Sequence, residues 1–204
     1  MSRLSSEDLT STGAGAPAGL TGAGAPADPT GAGAPAGPGP AGPLGELAGT
    51  ELADLADTEL TLPTPADTEA LGAWLGARLG AGDVVLLSGP LGAGKTVLAR
   101  GIGRGLGVAG PVTSPTFVIA REHAPAPDGR GVPLVHVDAY RLGGRAELDD
   151  LDLDTDLTAA AVVVEWGEGV AGGLAARYLL VRLTRRDDDS RLAQLSWQSE
   201  PTPA

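Results

Sequence analysis

A chain of 204 residues suits one domain plus a tail, and its formal charge of −12 sets 26 acids against 14 lysines and arginines. That imbalance disfavours direct nucleic-acid binding, because the mean field repels phosphates, so an RNA role is expected to run through a partner. The absence of cysteine excludes disulfides and thiolate metal sites; with no signal core after Met1-Ser2-Arg3 and no apolar run near the roughly 20 residues of a membrane span, a soluble cytoplasmic protein is the expectation.

Residues 1–55 are of low complexity. Thr-Gly-Ala-Gly-Ala-Pro-Ala begins at Thr12, Thr21 and Thr30, a repeat of period nine. Few large apolar side chains are available to offset the entropy of ordering, so this stretch reads as a disordered arm without chemistry. Glu46 to Glu59 is an acidic lead-in. A short strand is expected over Glu59 to Leu62 and then a helix, with Thr64 as N-cap, Pro65 at its first position and Asp67 placed for a capping box. Leu71, Trp74, Leu75 and Leu79 recur at helical spacing and form its apolar face, and Gly80 and Gly82 stop it. Trp74 lies on that stripe and reads as core packing rather than as a platform for a base.

Val84-Val85-Leu86-Leu87-Ser88 is an apolar strand, and it runs into Gly89-Pro90-Leu91-Gly92-Ala93-Gly94-Lys95-Thr96. This is the G-x-x-x-x-G-K-T phosphate loop in its required context of strand, glycine loop and helix. Glycines at 89, 92 and 94 permit a tight bend in which successive N–H groups, including those of Leu91 and Ala93, converge on an anion. A helix N-terminus behind the bend adds roughly half a positive charge. Lys95 reaches the outer phosphates and the Thr96 hydroxyl ligates magnesium. Lys95 is also the single lysine in the chain, which argues against a chance glycine-rich turn. The following helix runs from Thr96 to about Leu106, with Val97, Leu98 and Ile102 expected inward. Gly101, Gly103 and Gly105 weaken it by roughly 0.5–1 kcal/mol each relative to alanine, which points to close packing or to mobility. Gly107 is its expected stop.

Thr113-Ser114-Pro115-Thr116-Phe117 leads into a strand at Val118-Ile119, and its hydroxyls serve either an ordinary turn or a loop that senses the terminal phosphate. Pro125 to Gly131 reads as a hairpin connection returning into Val132–Asp138. Two apolar runs then end in acids: Leu134–Asp138, and Ala161–Glu165 followed by Trp166. Ligands of open parallel sheets gather beyond the carboxyl ends of the strands, where an acid can hold magnesium or orient water; otherwise such acids are helix caps or solvated strand ends. His136 has no second histidine close by, so a dedicated zinc site is not expected. Glu147 to Asp156 alternates Asp and Leu, an acidic helix or loop and a possible partner surface. A glycine-rich helix near Val170–Arg177, a strand over Tyr178–Leu183, a charged turn at 185–191 and a last strand over Leu192–Trp197 complete the chain.

Gly-Pro-Leu-Gly-Ala-Gly-Lys-Thr at 89–96, Ser-Pro-Thr-Phe at 114–117, His-Val-Asp-Ala-Tyr-Arg at 136–141 and Glu-Trp at 165–166 together resemble the TsaE (YjeE) family over residues 58–196. These are bacterial ATPases of tRNA threonylcarbamoyladenosine biosynthesis. The resemblance implies ATP and Mg2+ as cofactors, TsaD and TsaB as partners, and tRNA contact only through them. It further implies magnesium held by Thr96 and Glu165, a need for Asp138 in hydrolysis alongside Lys95 and Glu165, and a nucleotide pocket bordered by Thr68, Thr116 and, by a looser alignment, Arg191. Pro90 stands where the family commonly has an acid, and Asp152 where it has glycine.

The expected fold is α/β: a P-loop NTPase-like three-layer fold with a mostly parallel central sheet plus antiparallel additions, spanning 56–197 between the arm and a flexible tail at 198–204. Two other functions stand beside the ATPase. One is a small-molecule kinase on the same scaffold, which would need an acceptor pocket and an arginine-bearing lid. The other is a nucleotide-dependent binding module that hydrolyses nothing.

Overall fold

The computed structural model describes residues 42–115, 119–141, 158–167 and 175–199. Seven strands form one sheet: β1 (Thr58–Leu62), β2 (Val84–Ser88), β3 (Ala120–His123), β4 (Leu134–Asp138), β5 (Ala161–Glu165), β6 (Arg177–Arg185) and β7 (Arg191–Ser199), in spatial order β1-β7-β6-β2-β5-β4-β3. The four central strands β6, β2, β5 and β4 are mutually parallel, while β1, β7 and β3 are added antiparallel. This is the mixed sheet with a parallel centre that the sequence predicts. The stretch expected to be helical at 147–156, residues 170–174 of the one expected near Val170–Arg177, and the arm over 1–41 lie outside the described residues; Arg177, the expected end of that second helix, instead opens β6.

The apolar runs become central strands because both of their faces are covered: every residue of β2, β4 and β5 is buried. Odd-numbered Val85, Leu87, Ala161 and Val163, with Leu134 of β4, face one core shared with helices α1 (Pro65–Gly76) and α2 (Lys95–Leu106). Val84, Leu86, Val135, Val137, Val162 and Val164 form a second cluster on the opposite face. Among the described residues no helix is long and apolar enough to cross a membrane.

Helix α1 starts as expected. The Thr64 hydroxyl accepts from the Asp67 N–H, the Asp67 carboxylate accepts from the Thr64 N–H, and Pro65 opens the first turn. Leu71, Leu75 and Leu79 are fully buried, whereas Trp74 is half-buried beneath the Arg78 guanidinium, 3.9 Å from its ring centroid. The C-terminal carbonyls of Gly76 and Leu79 are not orphaned, because Arg130 donates to both, at 2.8 and 2.6 Å.

The glycines of α2 are explained by close packing. A Cβ on Gly101 would land on the Glu69 carbonyl, one on Gly105 on the Ala73 carbonyl, and ones on Gly72 and Gly76 of α1 on the carbonyls of Leu98 and Ile102. The two helices therefore touch backbone to backbone, and the Arg104–Glu69 pair at 2.9 Å spans the same seam. Val97 departs from expectation. Leu98 and Ile102 are buried, but Val97 is half-buried and lines the cleft above the sheet.

The packed part of the chain begins earlier than residue 56. Pro43–Leu47 and Leu52–Asp54 form two 3-10 turns, Leu47 and Leu55 are buried in the helical core, and the Trp197 indole N–H donates to the Leu52 carbonyl at 2.9 Å. The expected arm boundary at 55 thus falls inside a packed segment. Strand β7 likewise runs to Ser199, into the expected tail.

Candidate nucleotide site

Strand β2 lies between β5 and β6, and the glycine loop leaves its carboxyl end. Gly89, Gly92 and Gly94 have φ of 135°, 79° and 109°, values that L side chains rarely adopt. At Gly89 a Cβ would also strike the Leu183 carbonyl of β6. Composition alone marks this stretch as flexible; the left-handed torsions are what turn the loop onto the first turn of α2.

Leu91, Gly92, Gly94, Lys95 and Thr96 line a cleft of about 630 Å³, together with Pro65, Val97, Ser114, Asp138, Tyr140, Glu165, Trp166 and Arg191. Leu91 is 90% exposed at the rim of that cleft. Gly89 sits at the base, where its carbonyl accepts from Lys95 Nζ at 2.7 Å; Pro90 accepts from the same ammonium at 3.0 Å. Two expected pocket residues lie behind the loop instead. Ala93 is fully buried, with its N–H donated to the Pro90 carbonyl. Thr68 is also fully buried: its hydroxyl donates to the Thr64 carbonyl, and a Cβ on Gly94 would meet its methyl at 3.6 Å. Thr68 therefore supports the loop rather than bordering the cleft. Thr116 lies outside the described residues.

The two acids expected beyond the strands meet here. Asp138 and Glu165 are register partners at the ends of β4 and β5, and both are buried. Glu165 Oε2 accepts from the Thr96 hydroxyl at 3.1 Å, and its Oε1 lies 3.0 Å from His136 Nε2. Asp138 accepts from the Ser114 hydroxyl at 3.2 Å and from the Tyr140 N–H at 3.1 Å. Ser114, offered by sequence as either a turn residue or part of a sensing loop, thus touches the acid at the cleft. Burial holds the Lys95 ammonium below its ordinary value of 10.5, while the negative charges of Glu165 and Asp138 pull it part of the way back.

Trp166 was not singled out as a site residue. Its φ of 63° is left-handed, a strained conformation for a bulky side chain, and its N–H bonds the Leu87 carbonyl at 3.2 Å. The ring lies 3.5 Å, centroid to Nζ, from Lys95 and 5.1 Å from the Tyr140 ring. In sequence it is marked only as the second residue of the Glu-Trp motif at 165–166. The expectation that His136 has no second histidine close by is overturned by the sheet. Pairing of β3 with β4 brings Arg121 opposite His136 and His123 opposite Leu134, so the chain's two histidines are diagonal neighbours on one face. Among the described residues no group of three or more candidate metal ligands of the His, Cys, Asp and Glu types occurs.

Arg191, at the start of β7, lines the cleft as well. It donates to the Asp189 carbonyl at 2.7 Å, and its buried Nε has no hydrogen-bond partner among the described residues. Arg185 is engaged instead within the β6–β7 turn, by Asp189.

Comparison with known proteins follows the same residues. The family described as "Threonylcarbamoyl adenosine biosynthesis protein TsaE" matches residues 62–193. A Mycobacterium tuberculosis tRNA threonylcarbamoyladenosine biosynthesis protein TsaE is 58% identical over 144 residues, covering 67% of this chain and 85% of that one. The Streptomyces coelicolor protein of the same name is 58% identical over 121 residues, or 59% and 80% of the two chains. Among solved structures, YdiB of Bacillus subtilis superimposes with a TM-score of 0.55 at 31% identity, over 68% of this chain and 84% of that one.

Proposed function

The chain belongs to the TsaE family, and from that premise we propose that it is the ATP-binding and hydrolysing subunit required for N6-threonylcarbamoyladenosine formation beside the anticodon of ANN-decoding tRNAs. In this reading it works in the cytoplasm with TsaD and TsaB, which carry the tRNA, in keeping with its own net charge of −12. The observation that carries the proposal is the convergence of Lys95, Thr96 and Glu165 on one cleft under a loop of left-handed glycines.

The residues divide the work as follows. Backbone N–H groups of the loop and the α2 N-terminus receive the phosphates. Lys95 exchanges its bonds to the Gly89 and Pro90 carbonyls for phosphate oxygens, and Arg191 turns its unpartnered Nε toward the same charge. A hydroxyl and a carboxylate 3.1 Å apart are hard oxygen donors that suit magnesium, so Thr96 and Glu165 would hold it, and it would neutralise charge on the transferring phosphoryl group. Asp138, fixed by Ser114 and the Tyr140 N–H, is placed to orient the attacking water.

The test is phosphate release by the purified chain, alone and with TsaD and TsaB, for wild type and Lys95→Ala. Release in the complex, lost with Lys95→Ala and without any phosphorylated product, is expected. A phosphorylated acceptor would make the protein a kinase. ATP-dependent partner binding with background turnover would make it a binding module.

A further inference from the structure

We propose that His136 is a positioning residue that holds the Glu165 carboxylate in the orientation its cleft-facing oxygen needs. This rests on the reading of Glu165 as a magnesium ligand. His136 is completely buried on β4, on the face that α2 covers, and it pairs in register with Val163, two residues before Glu165 on the neighbouring strand. Its Nε2 is 3.0 Å from Glu165 Oε1, while Oε2, the other oxygen of the same carboxylate, is 3.1 Å from the Thr96 hydroxyl. The imidazole therefore grips one oxygen from inside the core and leaves the other for the cleft.

The rest of the ring fixes which nitrogen carries the proton. Among the described residues His136 Nδ1, which is buried, has no hydrogen-bond partner. A proton there would be an unsatisfied donor in the core, which costs more than an idle lone pair. The proton thus belongs on Nε2, and the ring donates to Glu165. Without that donor the carboxylate is free to rotate toward Lys95, whose ammonium already interacts with it. A carboxylate turned that way no longer presents its free oxygen beside the Thr96 hydroxyl, where the metal would sit.

Partners behind a metal ligand are typically worth 10–100-fold in metal affinity. The experiment measures affinity for a fluorescent ATP analogue in EDTA and then across a Mg2+ titration, for wild type, His136→Gln, His136→Asn, His136→Phe and Glu165→Gln. His136→Phe and His136→Asn are expected to need about 10–100-fold more Mg2+ for the metal-dependent gain, with metal-free affinity unchanged. His136→Gln, whose amide nitrogen reaches the position of Nε2, is expected to stay within about threefold of wild type. Should His136→Phe fail to fold, the contrast between Gln and Asn carries the test. Equal impairment of Gln and Asn overturns the proposal, as does a wild-type Mg2+ requirement in both. If Glu165→Gln itself leaves the Mg2+ requirement unchanged, the metal reading of Glu165 falls and takes this inference with it. If Glu165→Gln is impaired while the His136 variants are not, this inference falls alone.

Discussion

The ammonium of Lys95 sits over the face of Trp166, 3.5 Å from the ring centroid, while donating to the carbonyls of Gly89 and Pro90. Trp166 adopts a left-handed backbone just past the end of β5 and lines the cleft. Strain of this kind costs on the order of 1–3 kcal/mol, and the surrounding structure must hold it in place.

A cation over an aromatic face is worth about 0.5–2 kcal/mol, depending on desolvation. Trp166→Leu is therefore expected to weaken ATP binding by about 2- to 30-fold, and Trp166→Phe by much less, because it keeps a ring. Calorimetric titration checks this. Equal effects of Leu and Phe would show that the ring face contributes nothing.

The seam between α1 and α2 makes a prediction whose sign separates two explanations. If Gly101 only loosened α2, Gly101→Ala would stabilise the protein by up to about 1 kcal/mol through helix propensity. A Cβ there meets the Glu69 carbonyl, so the helices must move apart, and overpacking of this sort costs typically 1–3 kcal/mol. A lowered urea midpoint for Gly101→Ala is expected, and a raised one would refute the backbone contact.

Leu55 tests the early start of the packed domain. It is fully buried against the helical core although it lies in the stretch that composition assigns to the arm. Leu55→Ala should cost about 2–5 kcal/mol, the usual range for a buried leucine. A urea midpoint within experimental error of wild type would return residues 43–55 to the arm.

His123 gives a pH dependence of defined sign. Burial, followed by the nearby His136 ring and Arg121, holds it below its ordinary value of 6.5. In the window just below 6.5 the unfolded chain binds a proton that the folded chain does not, so stability falls as the pH drops through that window. His123→Gln removes this contribution. The melting temperature of wild type is expected to fall more steeply than that of the variant below pH 6.5. Parallel profiles would show that His123 titrates alike in both states.

What the sequence determined by itself is local. The glycine loop was legible because strand, glycines, lysine and helix are contiguous in sequence. The capping box at Thr64 and the left-handed stop at Gly107 were legible for the same reason. The two acids could be named as strand ends, since an apolar run followed by a carboxylate is also a local pattern.

The tertiary structure alone decided which of those groups meet. Thr96 and Glu165 are 69 residues apart, and only the parallel pairing of β2 with β5 sets one carboxylate beside that hydroxyl. His136 gained a role, and a histidine neighbour, through pairings of β4 with β5 and with β3 that its own flanking residues do not encode. Thr68 and Ala93 lie behind the loop, fully buried, which their own flanking residues do not encode. A short motif fixes torsions and the order of its own groups; which face a side chain presents, and to whom, depends on sheet register and helix crossing, and these emerge only when distant segments bury one another's apolar surface.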